Sequence, residues 1–288
     1  MDLQVLRVIS IIAIALVYML FDIFNRRNVP GVFVYATLAY GFLLSILYLN
    51  MLAVESIAIG MIVLGGGYML YKAGQLGAAD VAEFATISLI LPIQPIPWFV
   101  SINQLGLPFI LSLLIGSGVT AIIIVPIYYL VLGGRNTKVK TNKKSIFKAL
   151  IIFLAYAVFI LFAKMFVGLN IAGLLLLLVL AVFSSIMLLY EDQIAIKMVR
   201  YVGIRDFEEG DIIATNMMSK KMLESVRKRV KRFDRLVTSS LLNELKSKRI
   251  RGRFPVYKNA MPMALPIFIG LLLSLAFGDI ILLVFPVL

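Results

Sequence analysis

The stretch Leu3-Gln-Val-Leu-Arg-Val-Ile-Ser-Ile-Ile-Ala-Ile-Ala-Leu-Val-Tyr-Met-Leu-Phe-Asp-Ile-Phe24 decides the fold. It carries one base, Arg7, near its start and one acid, Asp22, near its end. A helix of about 20 apolar residues rises far enough to cross the hydrocarbon core of a bilayer. No small-residue cleavage site follows, so this block reads as a retained helix and not as a removed signal peptide. Seven similar blocks follow: Gly31–Leu49, Val54–Tyr71, Val81–Val100, Leu105–Leu132, Ile146–Met165, Leu169–Leu189 and Pro262–Leu283. Composition agrees, with 61% hydrophobic residues among 288 and a mean hydropathy of +1.00, whereas soluble domains are about half apolar. The expected fold is an all-α polytopic membrane protein of six to eight transmembrane helices, with a small α+β domain before the last helix. The count stays open because Pro92, Pro95 and Pro97 interrupt the fourth block, while the sixth and seventh meet at Lys164–Asn170.

Charge sets the orientation. Net charge is +13, and cytoplasmic loops of membrane proteins carry an excess of Lys and Arg. With the N-terminus outside, Arg26, Arg27, Lys72, the run Arg135–Lys148 and the segment Glu191–Lys258 all fall on the cytoplasmic side. Together they hold 26 of the 28 basic residues, leaving only Arg7 and Lys164 elsewhere. The expected location is the cell membrane, with the soluble segment in the cytoplasm. Three parts follow: residues 1–190 as membrane domain, 191–258 as basic soluble domain, and 259–288 as the last helix completing the membrane domain.

Within the soluble segment, Met198-Val-Arg-Tyr-Val202 and Asp211-Ile-Ile-Ala-Thr215 read as short strands around the turn-prone Glu208-Glu-Gly210. Ser219–Leu236 reads as a helix, with Met222, Val226, Val230, Phe233 and Val237 on one stripe. Its Lys and Arg suit anionic lipid headgroups. A nucleic-acid partner is not expected, because no aromatic residues interleave the charge.

The chain has no Cys and no His. Disulfides, thiolate nucleophiles, Fe–S clusters and cysteine zinc sites are excluded, as are a histidine base and a histidine metal ligand. Any acid–base chemistry must use carboxylates, Lys, Tyr or water. That directs attention to Asp22, at the end of the first block, and Asp80, at the start of the fourth. An ionisable residue at membrane depth is costly and marks a functional site by default. On the topology above, both lie at the cytoplasmic face, where two close carboxylates share a proton as in an aspartic protease. Asp279 and Glu55 fall toward the opposite face. Each acid also has a plainer reading. Asp80 is a favourable N-terminal helix acid. Asp22 sits at a helix C-terminus, where the dipole disfavours an anion, and pairs at i,i+4 with Arg26.

Asp22-Ile-Phe-Asn-Arg-Arg-Asn-Val-Pro30 resembles the first-aspartate motif of the type IV prepilin peptidases, an Asp followed by basic and polar residues and closed by Val-Pro. Gly77-Ala-Ala-Asp80-Val81 resembles their second motif, GxGD. Absence of cysteine points to the archaeal preflagellin and prepilin peptidases and away from bacterial relatives with paired CxxC zinc ligands. The similarity covers about the first 100 residues well and the last 100 loosely. It implies an aspartyl endopeptidase without metal or cofactor. Such an enzyme removes basic leader peptides from flagellin-like and pilin-like precursors, cutting after a glycine at the cytoplasmic membrane face. Asp22 and Asp80 would be catalytic. Gly77, Ala78, Ala79, Pro30, Arg26 and Arg27 would support them, the two arginines biasing Asp22 toward the base. Two departures stand out. Ala79 replaces the second glycine, and Ala82 and Glu83 follow where many relatives have a lysine two residues after the Asp. Glu83, one turn from Asp80, has two readings: a like charge that disfavours ionisation of Asp80, or, more simply, a polar contact with Lys72 or a helix-start acid.

Met263-Ala264-Leu265-Pro266 is similar to the PAL motif of presenilin-like proteases, although helix entry loosened by Pro262 and Pro266 explains it equally simply. Two other functions remain open on the residues: a presenilin-like protease cutting inside a bilayer helix, and a proton-coupled transporter using Asp22, Asp80 and Asp279.

Overall fold

A computed structural model of the chain describes residues 3–25, 28–47, 51–99, 107–132, 142–166, 168–230, 233–248, 250, 252–258 and 262–279. Two compact units result. The first comprises Met1–Tyr68, Ala78–Glu191 and Pro262–Leu288, the second Met69–Gly77 and Asp192–Met261.

In the first unit the helices are α1 (Leu3–Phe24), α2 (Gly31–Ile46), α3 (Met51–Lys72, its last turn in the second unit), α4 (Ala78–Ile90), α5 (Phe109–Ile127), α6 (Lys143–Phe166) and α7 (Ile171–Leu189). Among the described residues, five helices are long and apolar enough to cross a membrane: α1, α3, α5 with its continuation, α6 and α7. Their outer faces are apolar too. Phe147, Leu150, Leu154, Val158, Leu161 and Phe162 of α6 are all exposed, a surface suited to lipid and not to water.

Proline and glycine set the details. Pro92 disfavours helical backbone at Leu91, so α4 stops at Ile90, short of Val100, at the proline interruption noted in the sequence. The freed Leu89 carbonyl, an end-of-helix orphan, accepts from the buried hydroxyls of Ser45 (2.7 Å) and Ser56. Beyond it, residues 91–99 run as an extended strap, with the Trp98 and Phe99 amides donating to the Leu275 and Ala276 carbonyls. Pro126 removes a donor inside α5, and the chain continues as a wide π turn over Tyr128–Leu132. Asn170 caps α7 by accepting from the Gly173 amide at 2.6 Å. The core of this unit joins Ile11 and Ala15 of α1, Leu44 of α2, Phe84, Ile87 and Ile90 of α4, and Phe109 and Leu113 of α5. Ile267, Leu271 and Leu275 of the last helix complete it.

The second unit opens on α8 (Glu191–Met198, joined to the first unit at Glu191) and β1 (Arg200–Gly203). It continues through α9 (Lys220–Arg229), α10 (Ser239–Ser247) and β2 (Arg253–Val256); α11 (Ala264–Phe277) then returns to the first unit. β1 and β2 pair antiparallel, Val202 opposite Phe254. Ile212 bridges Leu236, and Ile213 bridges Val256. The helix expected over Ser219–Leu236 ends at Arg229. Val230 itself has extended backbone, and further on the Ile213 amide donates to the Arg235 carbonyl at 2.8 Å. The apolar spacing at Val230 and Val237 therefore serves a β-like edge. Both residues are buried with Val226, Leu241, Leu245 and Phe254. Ser219 and Thr238 cap α9 and α10 through the Met222 and Leu241 amides, each at 3.3 Å.

Lys258 lies between Glu208 Oε2 at 3.0 Å and Asp211 Oδ2 at 3.2 Å. Burial lowers its pKa, but the hydrogen bond to Glu208 and the charge of Asp211 outweigh that, holding it above its ordinary 10.5. Such a raised cation contributes stability that is complete at neutral pH and lost as pH climbs through the folded value. Lys258→Met is expected to cost up to about 1 kcal/mol at pH 7, since half of the pair is solvent-screened. Thermal unfolding across a pH series checks this, the difference shrinking above 10.5.

Candidate functional site

Asp22 closes α1 and is 9% exposed. Its position at a helix C-terminus is explained by α11, whose first amide, that of Ala264, donates to Asp22 Oδ2 at 3.0 Å. The carboxylate thus sits at the N-terminus of another helix, where free N–H groups and the dipole favour an anion. Pro266 lies in that first turn, where a missing N–H costs nothing. Met263-Ala264-Leu265-Pro266 is therefore both helix entry and part of the site. Residues 242 positions apart meet there.

Asp80 occupies the first turn of α4, a favourable place for an acid. Gly77 and Ala78 are exposed, and Ala79 is half-buried. Close approach comes from a different glycine. A Cβ on Gly67 of α3 would lie 3.0 Å from Val81 Cγ2 and nearer still to Cγ1, while Gly65 and Gly66 face open space. Gly67 thus lets α3 press against the turn that carries Asp80. Pro30 precedes α2 with φ −58° and ψ 130°, and its carbonyl accepts from the Val34 amide at 3.1 Å. It ends the turn in which Asn25 Nδ2 donates to the Asn28 carbonyl at 2.6 Å. Pro30 shapes the chain after Asp22 and starts the next helix. Arg26 and Arg27 lie outside the described residues.

Asp22 and Asp80 both act electrostatically on the same side chain, that of Glu83. Glu83 is 0% exposed, and neither oxygen has a hydrogen-bond partner among the described residues. The polar contact expected of it is not made, because position 83 faces the packed interior one turn past Asp80. Tyr18, one turn before Asp22, is also fully buried. Its hydroxyl meets Thr37 Oγ1 at 3.0 Å, and it lies within the fields of Glu83 and Asp80. The site therefore draws on α1, α2, α4 and α11. Tyr18 was not singled out in the sequence, though its i,i+4 spacing from Asp22 was there to be read.

No family model, curated protein or solved structure matches this chain.

The remaining acid of interest, Asp279, stands apart. Its carboxylate accepts from Ser112 of α5, and Ser274 of α11 donates to the Ser112 carbonyl at 3.0 Å. Gln94 of the strap adds a bond to the Ser274 carbonyl at 2.9 Å. This network ties α5, α11 and the strap together at the end of α11 remote from Ala264. Among the described residues no group of three or more acids is arranged to hold a metal. What Asp22 and Asp80 offer is acid–base chemistry: two carboxylates, one anchored by an amide, beside a third that is buried.

Proposed function

We propose that the chain is a membrane-embedded aspartyl endopeptidase of the prepilin and preflagellin peptidase type. In this reading it cuts basic leader peptides from flagellin-like or pilin-like precursors after a glycine, at the cytoplasmic face of the cell membrane. The observation that carries it is geometric: Asp22 is buried and held by the Ala264 amide at the start of α11, Asp80 lies 58 residues on in the first turn of α4, and α1, α4 and α11 share one core. The similarity of the segments around both acids to the two aspartate motifs supports it.

One carboxylate, ionised, takes a proton from water as the water oxygen attacks the scissile carbonyl carbon. The other, protonated, donates a hydrogen bond to the oxygen that becomes negative. Collapse of the tetrahedral intermediate expels the amine, which takes the proton held by the first carboxylate. Close carboxylates do not both ionise cheaply, so the pair holds one proton across its working range.

A second reading has its own support. The Ala264 amide on Asp22 gives the Met263–Pro266 run a place at the site, as in presenilin-like proteases that cut inside a helix. Product mass separates the two. A full-length precursor with a basic leader ending in glycine, incubated with the reconstituted chain, is expected to lose the leader at that glycine. Products cut within the apolar helix would favour the second reading. No product from any such precursor would move the assignment toward the proton-coupled transporter.

A further inference from the structure

Buried hydroxyls in the first unit find partners almost throughout. Ser45, Ser88, Ser117, Thr120 and Ser274 each donate to a carbonyl on their own helix. Two neighbouring residues on α4 depart from this pattern. Both oxygens of Glu83 and the Thr86 hydroxyl are buried without a hydrogen-bond partner among the described residues, and both residues are 0% exposed. At i,i+3 they share one face of the helix, and Asp80 lies one turn before Glu83.

Buried polar groups that protein atoms do not satisfy are normally satisfied by ordered water, and a buried water takes two to four polar partners. Glu83 and Thr86 supply three such atoms within one turn. A hydrolase at a membrane must also hold water where hydrocarbon excludes it. We propose that Glu83 and Thr86 line an internal water site one turn below Asp80, from which the attacking water is drawn. Glu83 is a positioning residue for that water, acting through hydrogen bonds. The water site stands on the burial and missing partners of these three atoms, while its part in hydrolysis rests on the peptidase reading. The charged or titratable groups that act on Glu83 are Asp80 on its own helix and Asp22 on α1, and Glu83 in turn acts on Tyr18 of α1.

The test uses the full chain in lipid nanodiscs and two readouts. X-ray hydroxyl-radical footprinting forms radicals from bound water and labels adjoining side chains. Precursor cleavage gives kcat and KM. Labelling is expected at Phe84 or Ile87 in the wild type. It should fall by about fivefold or more in Glu83→Leu and in Thr86→Val, and persist in Glu83→Gln, which still offers polar atoms to water. In Glu83→Leu kcat should drop by about tenfold or more with KM little changed, and Glu83→Gln should stay within about threefold of wild type. Thr86→Val preserves shape and carries the test if Glu83→Leu fails to insert. No label at residues 83–87 in the wild type overturns the proposal. So does an unchanged kcat in an inserted Glu83→Leu or Thr86→Val. Labelling that depends on Glu83 and Thr86 in a chain that cleaves no precursor upholds the water site and overturns the peptidase reading alone.

Discussion

Asp22→Asn is expected to lower precursor cleavage by at least about 10³-fold in kcat, with KM near wild type, and Asp80→Asn to do the same. Asparagine keeps the size of each side chain but cannot take a proton from water. At position 22 its Oδ1 still accepts from the Ala264 amide that holds Asp22 at 3.0 Å, so the end of α1 stays docked to the start of α11. At position 80, in the first turn of α4, asparagine forgoes only the charge–dipole interaction, about 0.3–1 kcal/mol. Loss of activity therefore reports chemistry and not folding. Because the pair acts as a unit, the double variant should be no worse than either single one. Wild-type kcat should show a bell-shaped pH profile set by the pair. Residual activity in either variant should lack one limb.

The largest expected effect on stability is at Gly270. A Cβ built there would lie 2.7 Å from the Gly116 carbonyl carbon and closer still to the Ser117 amide nitrogen. These are backbone atoms of α5, which cannot rotate aside as a side chain can. Gly270→Val must push α11 away from α5, breaking the packing of Leu271 and Leu275 and the bond from Ser274 to the Ser112 carbonyl. A cost of about 3 kcal/mol or more is expected, at the upper end for overpacking. The Ala264 amide moves with α11, so cleavage should fall as well. Gly65→Ala is the control, since a Cβ there meets nothing within 4 Å. It should be neutral or stabilising by up to about 1 kcal/mol through helix propensity. Thermal unfolding of both variants in one detergent makes the comparison.

Membrane-length apolar blocks are the most legible feature of such a chain, because a bilayer dictates both length and composition. The block Leu3–Phe24 coincides with α1 end to end, and Gly31 opens α2 as expected. Prolines marked one boundary in advance: the apolar run continues to Val100, but Pro92 ends the helix at Ile90 and leaves the rest as a strap. In the second unit an expected boundary was missed, because the stripe through Val230 and Val237 had two sources, a helix up to Arg229 and the bridged pairing of Leu236 with Ile212. At the site, both aspartates were legible because acids are rare in apolar sequence. The donor on Asp22 was not, since Ala264 is apolar in side chain and acts only through its backbone. Glu83 was legible as a like charge one turn from Asp80 or as a helix-start acid. Only packing around α4 shows that it is sealed from solvent.

That one site holds both aspartates is the claim on which the rest depends, and the absence of native cysteine makes it directly measurable. Asp22→Cys and Asp80→Cys in one chain, in the membrane, should be joined by a short bifunctional thiol reagent. Ser45→Cys with Ser56→Cys, whose native hydroxyl oxygens are 2.9 Å apart, is the positive control. Asp22→Cys with Asp279→Cys, at opposite ends of α11, is the negative one. The account predicts cross-linking of the 22–80 pair as efficient as in the positive control. Failure of that pair to cross-link, in a chain where the 45–56 pair does, would place the two acids apart and contradict the account.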